Sequence, residues 1–85
     1  MKYTLLDLDI KDKILDVLNY YEFSDLEYIE FQLKKNLSFS TVLYNVKIED
    51  VKIQNIDDIN FQIFIKTDFK NFIYNFNKEK NCFDE

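Results

Sequence analysis

Neither glycine nor proline occurs anywhere in this chain of 85 residues, and that omission constrains the fold more than any motif does. Average usage would supply about six Gly and about four Pro in this length. Without them, every reversal of the chain falls to residues that carry a Cβ, and Asn and Asp tolerate left-handed backbone best among these. Asn36, Asn45, Asn55 and Asp58 are therefore the predicted turn residues. Ala, Arg, His and Trp are missing as well, whereas Asn, Lys, Ile, Phe, Tyr and Asp are abundant. Codons for Gly, Pro, Ala and most Arg begin with two G or C bases, and those for Asn, Lys, Ile, Phe and Tyr begin with A or T. The bias thus points to an AT-rich genome as well as to chemistry.

Hydrophobic residues make up 47% of the chain and aromatics 18%, more than a disordered segment carries. A length of 85 residues allows one core, so the expectation is one compact domain over residues 1–85, with 79–85 as a frayed tail. Ile10, Ile14, Val17, Leu18 and Tyr21 recur at helical spacing behind Asp9 as N-cap, which predicts a helix over 10–22. The stretch that follows satisfies two patterns. Ser24 with Glu27 matches a capping box, yet Ile29, Phe31 and Leu33 alternate with polar residues as in a half-buried strand. A Lys34–Lys35–Asn36 loop would set Leu33, Phe31 and Ile29 opposite Leu37, Phe39 and Thr41, and this register favours a hairpin with a break near Asn45. Ile59, Phe61, Ile63 and Ile65 predict a strand over 59–66 after a turn at Asn55, Asp57 and Asp58. Phe69, Phe72, Ile73 and Phe76 fall at i, i+3, i+4 and i+7 behind Thr67 or Asp68, which predicts a closing helix. The expected fold is an α+β two-layer sandwich: N-terminal helix, three- or four-stranded antiparallel sheet, C-terminal helix.

Several chemistries are disfavoured by what is missing. General acid–base catalysis near neutral pH most often uses His, and a phosphate-cradling loop needs Gly, so no catalytic or cofactor-binding residue is assigned and no cofactor is expected. Asp7 with Asp9 and Asp57 with Asp58 read as solvated turn acids, since a calcium loop needs Gly at its sharp turn and a longer ligand ladder; no metal site is expected. Cys82 stands alone and reads as a tail thiol, compatible with a reducing compartment. The N-terminal leucines are interrupted by Asp7 and Asp9, too short and acidic for a signal peptide or span, so a cytoplasmic location is expected.

The formal charge is -5 and unevenly spread: residues 1 to 33 hold eight acids against three lysines. Such a balance, with no Arg, argues against direct binding of nucleic acid through its phosphates and favours a protein with a basic surface. Two candidate faces emerge. Asp9, Asp12 and Asp16 lie three and four residues apart on one helix face, extended by Glu22, Asp25, Glu27 and Glu30. They form either a solvated stripe or a docking surface. Tyr28, Val42 and Phe64 are expected on the sheet side opposite the core, as an aromatic patch for a partner or a second copy, or covered by Tyr3 and Leu5. Tyr20 and Tyr74 are expected on helix flanks.

In size, acidity and composition, though through no motif, the chain resembles the small acidic inhibitors encoded by phages and mobile elements, anti-CRISPR proteins in particular. The resemblance implies a stoichiometric inhibitor, not an enzyme, whose acidic stripe competes with nucleic acid for a Lys-lined or Arg-lined groove of a nuclease complex in the host cytoplasm. The alternatives are an immunity or antitoxin protein acting on a basic toxin, and a small structural subunit that associates with itself.

Overall fold

The computed structural model describes residues 2–21 and 25–84. Two helices, α1 (Lys2–Tyr20) and α2 (Leu26–Ser40), are followed by a 3-10 turn (Thr41–Tyr44) and four strands: β1 (Ile48–Asn55), β2 (Asn60–Thr67), β3 (Asn71–Asn77) and β4 (Cys82–Asp84). The strands form an antiparallel meander in the order β1-β2-β3-β4. The class is α+β, as the sequence predicts, but both helices precede the sheet and the chain closes on a strand.

The predicted hairpin over 29–43 is replaced by α2. Ile29, Leu33 and Leu37 are fully buried, whereas Phe31 and Phe39, which the hairpin would place in the core, are 61% and 75% exposed. Burial every fourth residue is the signature of one helix face. Asp25 begins the helix: its backbone is extended and its carboxylate accepts a hydrogen bond from Tyr28 N–H at 3.1 Å. Asn36 therefore lies inside a helix, not at a loop. α1 is also longer than predicted. It starts at Lys2, so Asp9 is an interior residue rather than an N-cap, and its buried stripe runs through Leu6, Ile10, Ile14, Val17 and Leu18.

The predicted closing helix is strand β3. Phe72, Tyr74 and Phe76 are buried while Asn71, Ile73 and Asn75 are exposed, a period of two. Tyr74 is consequently a core residue instead of a helix flank. Thr67 does bind the backbone ahead of it, as a cap would, but its Oγ1 accepts from Phe69 N–H and Lys70 N–H to close the β2–β3 hairpin. The supposed tail contributes β4, where Phe83 pairs with Phe76 and Cys82 with Asn77.

Side-chain oxygens replace glycine at the other turns too. Asp57 Oδ1 accepts from Ile59 N–H and Asn60 N–H, both at 2.9 Å, between β1 and β2. Asn77 Oδ1 accepts from Lys80 N–H between β3 and β4. Left-handed backbone occurs at Asn45 (φ 56°), the predicted break before β1, and at Asn81 (φ 53°). Asn55 ends β1, and Asp58 sits in the bend after it.

One face of the sheet and both helices share a single core, including Ile48, Val51, Ile53, Phe61, Ile63, Ile65, Phe72, Tyr74 and Phe76 from the strands. The other sheet face carries Lys52, Gln54, Gln62, Phe64, Lys66, Asn71, Ile73 and Asn75. Two hydrogen bonds set α1 against its surroundings. Tyr74 Oη donates to Asp7 Oδ1 at 2.7 Å, and Tyr44 Oη donates to Asp9 Oδ2. Among the described residues, no helix is long and apolar enough to cross a membrane.

Candidate functional site

Fold geometry sorts six of the seven acids of the predicted stripe into two groups. Asp9, Asp25 and Glu30 are engaged within the fold. Asp9 accepts from Tyr44, Asp25 caps α2, and Glu30 Oε2 accepts from Ile53 N–H at 2.6 Å. The Ile53 contact is a backbone one: β1 is an edge strand, and its outward N–H groups at Val51 and Ile53 are taken by the Asp50 and Glu30 carboxylates. Asp12, Asp16 and Glu27 form the second group, exposed and without an intramolecular hydrogen bond or ion pair among the described residues. Glu27 occupies the first turn of α2, where a negative charge complements the helix dipole. Glu22 lies outside the described residues.

Asp12 and Asp16 are one helical turn apart on α1, on the side away from its buried stripe. Asp16 reaches a shallow cavity of about 250 Å³ lined also by Val17, Tyr20, Tyr21 and Asn36, where α1 meets α2. Tyrosine rings continue from it. Tyr20 and Tyr21 meet edge to face at 4.9 Å between centroids, and Tyr21 meets Tyr28 in the same manner at 5.3 Å. Burial, followed by the neighbouring Tyr28, pushes the Tyr21 phenol above its ordinary range. The hydrogen bond to Asp9 does the same for Tyr44.

The expected patch of Tyr28, Val42 and Phe64 is not brought together on one sheet face. Tyr28 is on α2, in the helical layer, and half exposed. Phe64 is on the outer side of β2, half-buried between cross-strand neighbours Lys52 and Ile73. Val42 lies in the 3-10 turn, and its side chain is outside the described residues, as is that of Tyr3. Leu5 belongs to α1 and is exposed, so it does not cover Phe64. The hairpin reading caused this error, because it assigned Tyr28 and Phe64 to the same sheet. It also hid Phe31 and Phe39, which the fold leaves exposed on α2, whereas Tyr20 stands exposed at the end of α1 as expected of a helix-flank residue. The capping-box pattern was the signal that could have recovered them, since it makes 26–40 helical and places Phe31 off the buried stripe.

Among the described residues no three His, Cys, Asp or Glu side chains gather as metal ligands. Asp7 and Asp9 turn to different tyrosines, Asp7 also pairing with Lys11 at 3.5 Å, and Asp57 is committed to its hairpin. Cys82 is exposed at the start of β4. A second open depression, of about 420 Å³, lies between Ser38 and the segment 45–48, where Asp68 Oδ1 accepts from Lys47 N–H. No protein-family model, curated protein or solved structure matches this chain.

Proposed function

We propose that this chain is a non-catalytic protein-binding inhibitor whose helical layer docks on a basic groove of its partner, in the manner of an anti-CRISPR protein that occupies the nucleic-acid groove of a nuclease complex in the host cytoplasm. The observation that carries the reading is the position of Asp12 and Asp16. Both carboxylates are exposed and unpaired within the described fold, and Asp16 shares a cavity with exposed Tyr20. Charges with no internal partner cost the fold nothing to remove, and they are free to steer a partner. Aromatic side chains beside them supply the contact area that charge alone lacks.

Capture from a lysate of the source cell tests this, comparing the natural chain with Asp12→Lys/Asp16→Lys at low and high ionic strength. The expected result is a basic partner retained by the natural chain at low salt, weakened at high salt and lost by the double reversal. Retention that ignores both salt and the reversal would remove the acidic face from the mechanism.

A second reading, a self-associating subunit, is favoured by one observation. Leu5 and Leu8, 56% and 52% exposed on α1, stand one turn apart as large apolar side chains open to solvent. Light scattering across a micromolar concentration series decides it: a mass that stays monomeric excludes self-assembly.

A further inference from the structure

The cavity between α1 and α2 has a composition suited to one kind of guest. Its wall offers a carboxylate (Asp16), two phenol rings (Tyr20 and Tyr21), the methyl groups of Val17 and the Asn36 side chain. Asp16 and Tyr20 are four residues apart on one helix face, so the carboxylate and the ring lie side by side. The edge-to-face packing of Tyr20 on Tyr21, with 69° between ring planes, presents ring surfaces in two directions. No lysine of this chain is among the residues lining it. A single carboxylate is too few ligands for a hard cation, and an anion would meet Asp16 directly.

We propose that this cavity is a receptor for one arginine guanidinium presented by the partner protein. A guanidinium is planar, stacks on tyrosine rings and donates two parallel N–H bonds to a carboxylate, so it uses both kinds of wall at once. The source of that arginine, the basic surface of a partner, rests on the docking reading above. The affinity of the cavity for a guanidinium does not, and it is measured without any partner.

The test is an amide NMR titration of the full chain with N-acetyl-arginine amide, alongside its neutral isostere N-acetyl-citrulline amide. The expected result is saturable shifts at Asp16, Tyr20, Tyr21 and Asn36 with the arginine probe and at least about tenfold weaker binding of the citrulline probe. Asp16→Asn, at an exposed position, should lose the response while the strand amides keep their positions. Asp58→Asn, at an exposed acid of the β1–β2 bend outside the cavity, should retain it. Equal response to both probes, persistence in Asp16→Asn, or shifts spread over all exposed acids would each overturn the proposal. If the double reversal abolishes partner capture but no guanidinium response exists, the cavity is refuted and the docking face stands. If the response is present and capture ignores salt and reversal, the docking face falls and the receptor stands.

Discussion

Asp57, Thr67 and Asn77 stand at intervals of ten residues, and each accepts backbone N–H groups that a tight turn leaves unpaired. In a chain without glycine this is how three hairpins are closed: a short side chain substitutes for backbone freedom, at the cost of fixing its own rotamer. Asp57 is the most heavily used, since it also receives the Asn60 side-chain amide. That side-chain bond, ahead of the backbone ones, holds its carboxyl below the ordinary value of 3.8. A carboxyl depressed on folding contributes stability that is present above the unfolded value and is lost as pH falls through the folded one. Asp57→Asn should therefore flatten the acid limb of a melting-temperature against pH profile, and Asp57→Ala should lower the melting temperature at neutral pH as well. Tyr74 works in the opposite sense. Burial first, and then the bond to Asp7, push its phenol well above 10.0. The stability it contributes is present below that value and is lost as pH rises toward the raised one. The prediction is that one tyrosine ionises only on alkaline unfolding, seen by near-ultraviolet absorbance, and that Tyr74→Phe removes both this delayed step and about 1 kcal/mol by urea titration.

At the level of elements, α2 and β1 depend on one contact that neither could make alone. An edge strand exposes unpaired N–H groups, and the Glu30 carboxylate of α2 covers the one at Ile53. Glu30→Ala should speed hydrogen exchange at the Ile53 amide and cost about 1 kcal/mol, with Glu30→Gln recovering part of both. Unchanged exchange would mean that the edge is protected by other means. The elements themselves were only partly legible in the sequence, for an identifiable reason. Helical and strand periods coincide at residues four apart, and Ile29/Leu33/Leu37 and Phe72/Phe76 all fall at that spacing, so each set fits either element. In both places an aromatic residue off the shared set misled the reading: Phe31 suggested a strand where it is an exposed helical residue, and Phe69 suggested a helix where it tops a hairpin turn. Segments with a longer run of one period, residues 59–66 and the first helix, were read correctly in type. The acids were legible as residues but not as roles, because nothing local tells Asp12 that it stays free or Glu30 that a strand edge will reach it.

Taken whole, the molecule has two unlike exterior faces. On the helical side stand Asp12 and Asp16 with Tyr20, Tyr28, Phe31 and Phe39; on the outer sheet side stand Phe64 and Ile73 between Lys52, Lys66 and a set of amides. The Asp12–Asp16 turn of α1 and the lysines beside Phe64 make opposite electrostatic offers to a partner. If the helical side is the docking face, Asp12→Lys/Asp16→Lys changes the formal charge from -5 to about -1 and abolishes capture of a basic partner, yet leaves the urea midpoint within about 0.5 kcal/mol of the natural chain, since neither residue bonds within the described fold. Phe64→Ala with Ile73→Ser should do the reverse, leaving capture intact while costing cross-strand packing of about 1 kcal/mol. Ile63→Ala supplies the scale, because removing a fully buried side chain next to Phe64 costs about 2–5 kcal/mol and should unfold the chain at the lowest denaturant of the series. Loss of capture in the sheet-face variant, with the helical reversal still binding, would transfer the interface to the sheet. In that case the lysines beside Phe64, rather than the carboxylates of α1, would decide which partner is recognised.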